Sequence, residues 1–243
     1  MINDITVLIC LSPIPSHPDT SVIDMTVLSI RERLPDCPIF FLFDGVPAKS
    51  MQYLTAYNEF KQKMLWKINE MGNATPFVFE EHKHQSGMVK DVIKLVQTSM
   101  VLFMEQDTPL HNDIPFKEIA ETIKCGYCNT VRFHFEAQIH PEHKHLMLDD
   151  KPIDVLGVPM LRTKQWSQRP HLSSTKYYTH ISSRYFTGEP KFIEHVMYGM
   201  IAEGGDNWDE HRLHIYAPPL TLVRSKHLDG RRLGAENYDP TAS

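Results

Sequence analysis

Apolar positions in the first hundred residues follow two alternating periods, and together they predict strands separated by helices. Residues 5–11 (Ile-Thr-Val-Leu-Ile-Cys-Leu) form a nearly continuous apolar run, the pattern of a strand buried on both faces. Residues 12–18 (Ser-Pro-Ile-Pro-Ser-His-Pro) are punctuated by proline and predict a loop. From Asp19 to Leu34, Val22, Ile23, Met25, Val27, Leu28, Ile30 and Leu34 fall at helical spacing, capped by Asp19 or Thr20. A second strand over 39–43 stops at Asp44-Gly45, and a helix follows over 50–70. A third strand is predicted over 76–79, then a helix over 85–98 that begins around Ser86-Gly87, then a fourth strand over 100–104. This β-α-β-α-β-α-β order implies an α/β fold: a mostly parallel central sheet flanked by helices, with ligands bound beyond the carboxyl ends of the strands.

The second half is less regular. Ile114 to Lys124 reads as a helix, and Thr130 to Ile139 alternates like a strand of an antiparallel or mixed region. Lys151 to Met160 carries the strand breakers Pro152, Gly157 and Pro159, and 162–186 is rich in aromatic and hydrogen-bonding side chains. Gly188-Glu189-Pro190 leads into a helical stretch, Lys191 to Ala202, with Glu189 and Pro190 suited to a first turn. No repeat, low-complexity stretch or linker divides the chain. We expect a single domain over 1–243, with a nucleotide-binding half over about 1–110 and a mixed, elaborated half over about 111–243.

Composition narrows the function classes. Hydrophobic residues make up 42% and charged residues 23%, ordinary for a soluble protein able to bury a core. A net charge of -5 supplies no basic footprint, which disfavours a nucleic-acid partner held through phosphates without excluding a local patch. No stretch reaches the length of a membrane span, and the N-terminus lacks a secretory pattern, so a cytoplasmic location is expected (host cytoplasm for a viral protein). Cys125-Gly126-Tyr127-Cys128 has C-x-x-C spacing but no second pair, and Gly126 reads better as a helix C-cap than as part of a redox or zinc site.

The fourth strand ends in Glu105-Gln106-Asp107, followed by Thr108-Pro109. In extended chain, residues two apart share a face, so both carboxylates would point to one ligand. Two hard oxygen ligands suit a divalent cation whose shell is completed by diphosphate oxygens and water. Solvated turn acids would give the same string. The loops at 12–18, 44–45 and 105–107 all follow strand ends and are expected to line one crevice.

In strand order, in the position of Glu105-Gln106-Asp107, and in a late histidine within Arg224-Ser225-Lys226-His227-Leu228-Asp229-Gly230-Arg231-Arg232, the chain resembles the GT-A glycosyltransferases. The resemblance covers about residues 4 to 232, with E-x-D where the family carries D-x-D. In length the chain is similar to small viral and phage members. The resemblance implies a GT-A fold and a hexosyl- or pentosyltransferase using a nucleotide-diphosphate sugar, UDP-sugar favoured and GDP-sugar possible. A divalent metal (Mn2+ or Mg2+) would be held by Asp107, Glu105 and His227, with Arg231 and Lys226 on phosphate. Glu105 would touch either the metal or the sugar and ribose.

By the same resemblance, Ser12, Pro13 and Ile14 would lie beside the base or ribose, Asp44 would accept a ring N–H, and Lys90 would reach phosphate or ribose. Asp44-Gly45 is equally an ordinary turn, Lys90 a solvated lysine and His227 a polar tail residue. An inverting reaction needs a base, for which Glu194 is the first choice and Asp209 or Glu210 the rivals; each reads equally as surface charge. Trp166, Trp208, Tyr177 and Tyr178 would stack on sugar or fill core. The acceptor would be a hydroxyl of a glycan, a protein-linked glycan or a modified nucleobase. The competing readings are a sugar-nucleotide nucleotidyltransferase, disfavoured because the first loop lacks glycine, and a non-catalytic nucleotide-sugar-binding module.

Overall fold

The apolar runs of the sequence form the centre of one nine-stranded sheet, in a computed structural model that describes residues 4–203, 208–219 and 221–228. Arg231, its neighbours Asp229 and Gly230, and Gly204 to Asn207 lie outside the described residues. β1 (Ile5–Leu11) is buried at every position and pairs in parallel with β2 (Ile39–Phe43) and β4 (Met100–Glu105). β3 (Ala74–Val78) extends the parallel set at the sheet edge, where Pro76 is tolerated. The connections are α1 (Ser21–Arg31), α2 (Leu54–Glu70) and α3 (His84–Val92).

The remaining elements are α4 (Phe116–Lys124), β5 (Thr130–Arg132), β6 (Ile153–Val155), β7 (Val158–Arg162), β8 (His171–Ser174), α5 (Thr175–Tyr185), α6 (Ile193–Tyr198), α7 (Trp208–His211) and β9 (Leu213–Tyr216). The strand order is β3-β2-β1-β4-β8-β5-β9-β7-β6. β8 is antiparallel to both β4 and β5, and β9 is parallel to β5. The carboxyl ends of β1, β2, β4, β5 and β9 therefore share one edge with the start of β8.

Strand alternation divides the core into two layers. Val7, Ile9, Phe41, Phe43, Leu102 and Met104 pack with α1, α2 and α4 on one face. Leu8, Cys10, Leu42, Val101 and Phe103 pack with α3, α5 and α6 on the other. Trp166, Tyr177 and Tyr178 belong to this second layer and are buried, so they fill core and do not offer faces to a sugar.

Several expected elements are trimmed by tertiary context. The helix expected over 50–70 begins at Leu54, after a tight 3-10 turn over Ala48–Tyr53, and the one expected over 85–98 ends as α3 in a second such turn, Ile93–Leu95. The strand expected over 130–139 keeps only Thr130–Arg132, and beyond it His134 makes a single bridge to Val223. The interrupted stretch 151–160 is a β6–β7 hairpin: Leu156 and Gly157 both have positive φ (54° and 83°), the two-residue turn whose twist matches paired strands. At the end of α4, Gly126 (φ 76°) is left-handed, and the N–H groups of Gly126 and Tyr127 donate to Ile123 and Thr122 carbonyls, closing the helix. The C-x-x-C thiols are free, and burial pushes Cys128 up to about 12, so it is a structural thiol.

Among the described residues no helix is long and apolar enough to cross a membrane. Gly45, directly after β2, has no room for a side chain: an added Cβ would sit 2.3 Å from the Glu81 carbonyl carbon. Gly45→Ala is expected to cost about 1–3 kcal/mol, read as a lower urea midpoint. An unchanged midpoint would show that the 81–82 backbone yields.

Candidate active site

The shared carboxyl edge collects the polar groups, and alternation decides which way they face. On β4, Val101 and Phe103 face α3 and α5, so Glu105 follows them; on β2, Leu42 does, so Asp44 follows it. Cys10 lies between, paired in register with Glu105 and with Leu42. Glu105 Oε1 accepts a 2.6 Å hydrogen bond from Gln85 Nε2 in the first turn of α3.

The acid motif is a turn, not a continuing strand. β4 ends at Glu105, and Thr108 closes the chain back on it: Thr108 N–H reaches the Glu105 carbonyl at 3.4 Å, and Thr108 Oγ1 accepts from Glu105 N–H at 3.1 Å. The shared strand face expected for Glu105 and Asp107 is therefore absent. Glu105 is directed at α3, whereas Asp107 meets the C-terminal segment.

That segment is fixed by backbone hydrogen bonds. Arg224 and Ser225 N–H donate to the His134 carbonyl, Lys226 N–H to that of Pro109, and Leu228 N–H to that of Asp107 at 2.9 Å. Threaded this way, His227 brings Nε2 to 3.5 Å from Asp107 Oδ2. A carboxylate oxygen and an imidazole nitrogen this close fit the ligand set of one divalent cation completed by phosphate and water. Among the described residues no three His, Cys, Asp or Glu side chains form a metal cage, so substrate oxygens would have to supply the rest of the shell.

The first loop is tied to the same turn. Buried Gln106 donates through Nε2 to the Ser12 carbonyl at 3.1 Å, bridging the loops after β1 and β4, the strands between which the chain reverses its order in the sheet. Its Oε1 is buried without a hydrogen-bond partner. Ser12 is exposed and Pro13 and Ile14 are half-buried. Behind them His17 stacks on Phe60 at 3.9 Å and accepts from Ile14 N–H at 3.2 Å.

Asp44 is committed to the chain itself. Its Oδ1 accepts from Gly45 and Lys83 N–H (2.9 and 2.7 Å) and its Oδ2 from His84 N–H (3.0 Å), with His82 Nδ1 at 2.8 Å. Burial pushes its carboxyl up from the ordinary value, against the opposing pull of these groups. The role expected for it, accepting a ring N–H, competes with this anchoring of the turn before α3.

Farther along the edge, Glu194 Oε2 accepts from the backbone N–H of Gln168 at 3.1 Å, in the loop that enters β8. Nearby, Arg132 is fully buried and donates to Gln165, and Arg169 lies 3.9 Å over the Phe135 ring and reaches Glu136 at 3.2 Å. The His134 hydrogen bond and Arg169 pull the Glu136 carboxyl down to about 2. Asp209 is not brought to this edge. It lies in α7, just before β9 begins, at the opposite, amino-end side of the sheet, and Glu210 beside it is paired with Arg184. Lys90 donates to the Phe186 carbonyl at 2.9 Å and borders a cleft of about 300 Å3 with Lys83, Ser86, Gly87 and Gly188.

Gln85, Gln106, Gln168 and Arg132 escaped the reading of the sequence. The only signal was position, inside the acid motif for Gln106 and beside Ser86-Gly87 for Gln85; Gln168 and Arg132 carried none.

No family model matches the chain, and no curated protein matches it in sequence. Solved structures do match in shape. S. aureus TarS 1-349 superposes with a TM-score of 0.56 at 10% identity, over 92% of this chain and 60% of that one. Its complex with UDP-GlcNAc gives 0.58 at 11% identity, over 98% and 61%. GalNAc-T7 with UDP, GalNAc and Mn2+ gives 0.58 at 12% identity, over 98% and 46%. The fold is that of the GT-A glycosyltransferases. The chain spans about half to three fifths of the length of these GT-A proteins, and at such identities the likeness is one of fold.

Burial pushes His17, His134 and His171 down to about 4. Between pH 6.5 and 4 the unfolded chain then binds more protons than the folded one, so stability is fully present above 6.5 and falls as the pH drops through this window. Glu136 extends the loss from about 4.5 to about 2. Each buried ring accounts for up to about 3 kcal/mol. Urea midpoints should hold from pH 7.5 to 6.5 and fall from there to pH 4, less so in His17→Phe, and a profile flat to pH 4 would refute the buried neutral histidines.

Proposed function

We propose that the chain is a glycosyltransferase that moves a sugar from a nucleotide-diphosphate donor to an acceptor hydroxyl with the help of a divalent cation, Mn2+ or Mg2+. One observation carries the reading: Asp107 and His227, far apart in sequence, meet at 3.5 Å on the carboxyl edge of the sheet. The GT-A fold supports it, and a UDP-sugar is favoured over a GDP-sugar because the structures similar in fold hold UDP or UDP-GlcNAc, one of them with Mn2+.

When bound, the cation would neutralise charge growing on the leaving diphosphate. In this reading Asp107 and His227 would hold it, with Lys226 toward the phosphates; Arg231, the other residue expected on phosphate, lies outside the described residues. Ser12, Pro13 and Ile14 form the lip for the base, and Asp44 shapes the floor beneath it by holding the turn before α3. Glu105, aimed by Gln85, touches the sugar or ribose, and Lys90 borders the cleft beyond. Glu194 takes the proton from the acceptor hydroxyl if the reaction inverts the anomeric centre. Asp209, at the far side of the sheet, is the weaker choice. The acceptor is a hydroxyl, of a glycan in the first instance.

Titration calorimetry of UDP with Mn2+ and with chelator tests the reading. Chelation and Asp107→Ala should each weaken UDP by about tenfold or more, the order of loss when metal coordination is disturbed. His227→Ala should weaken it less. UDP affinity indifferent to both chelation and Asp107→Ala would sink the metal-site assignment, and binding without any UDP-sugar hydrolysis would favour a non-catalytic module.

A further inference from the structure

Glu105 and Glu194, the acids at the two ends of the candidate site, are joined by a continuous run of hydrogen bonds. Gln85 Nε2 donates to Glu105 Oε1 at 2.6 Å, Gln168 Nε2 donates to Gln85 Oε1 at 2.9 Å, and Gln168 backbone N–H donates to Glu194 Oε2 at 3.1 Å. The direction is dictated by charge. An ionised Glu105 only accepts, so Gln85 must present its NH2 group there and its oxygen to Gln168, which must in turn present NH2. Neither amide can flip without opposing oxygen to oxygen or NH2 to NH2. A bond to a carboxylate is also the stronger kind, so the run is anchored at its charged ends.

A second tie locks the same pieces. Ser86, next to Gln85, accepts through Oγ from Lys191 N–H at 2.9 Å and donates its own N–H to the Lys191 carbonyl at 3.1 Å. The first turn of α3 thus grips both the 168 loop and the chain entering α6. At Gly87 an added Cβ would lie 3.0 Å from Lys83 Cβ, so this turn is closely packed.

We propose that Gln85 and Gln168 are positioning residues that couple occupancy of the donor subsite at Glu105 to the placement of Glu194 for the acceptor. The inference rests on the glycosyltransferase reading. A donor that shifts Glu105 displaces Gln85, then Gln168, whose own N–H carries the movement to the Glu194 carboxylate. Small displacements of a reacting group are costly in rate, about a hundredfold for 1 Å.

The test compares the wild-type chain with Gln85→Ala, Gln168→Ala and the double variant. Three quantities are read: UDP affinity with Mn2+, hydrolysis of a panel of UDP-hexoses and UDP-N-acetylhexosamines, and hydrogen exchange at the Gln168 amide. Expected are UDP affinity within about twofold, kcat lower by tenfold or more in each single variant, and a double variant no slower than the worse single one, the non-additivity of a shared network. The Gln168 amide should exchange faster in Gln85→Ala. UDP affinity falling in step with kcat, additive losses, or unchanged exchange at Gln168 would each overturn the coupling. If the wild type turns over none of the panel, the exchange result alone decides. A wild type that does not bind UDP would overturn the functional reading as well, a failure visible without any variant.

Discussion

β1 and β4 are buried on both faces, and the candidate site depends on that constraint. A strand with no solvated face has nowhere to carry polar side chains except its end. Helices must cover both sides, and polar groups accumulate where the covered strands run out. The order β3-β2-β1-β4 reverses between β1 and β4, the point of the carboxyl edge at which sheets of this kind bind ligands. There Gln106 reaches the Ser12 carbonyl, so the acid turn and the first loop are tied by one amide.

Two more devices build on this frame. Asp44 uses buried charge to organise backbone: three N–H groups converge on its carboxylate and hold the turn that starts α3. That turn then presents Gln85 to Glu105. The segment 224–228, held by backbone bonds and by Ser225 Oγ donating to the Phe133 carbonyl, achieves what no local sequence pattern specifies, drawing His227 against Asp107. The region around β5 and the loop entering β8 is organised differently, around buried arginines balanced by Glu136 and Glu194, which makes its geometry a matter of charge pairing more than of strand alternation.

The first four strands and the polar ends of β2 and β4 were legible because they rest on local rules. Continuous apolar runs of strand length specify buried strands, and a proline-rich stretch specifies a loop. Boundaries were less legible: the 85–98 segment stops being α-helix at Val92, where the chain tightens before β4. The hairpin at Leu156-Gly157 was hidden because its prolines and glycine read as breakers, whereas the turn needs positive φ at both central positions. Aromatic residues over 162–186 gave no sign of which face they took, and Trp166, Tyr177 and Tyr178 went inside.

What the sequence by itself determined is therefore the α/β layering, the gathering of polar strand ends at the carboxyl edge, and the presence there of Glu105, Asp107 and Asp44. Only the tertiary structure decided their partners. It split Glu105 from Asp107 by a turn, gave Glu105 to Gln85 and Asp107 to His227, set Asp44 to hold backbone, and put Asp209 at the other end of the sheet. The physical reason is that hydrophobic periodicity is read from neighbours along the chain. A hydrogen bond between side chains dozens of residues apart depends on strand register and loop path, which no local pattern encodes.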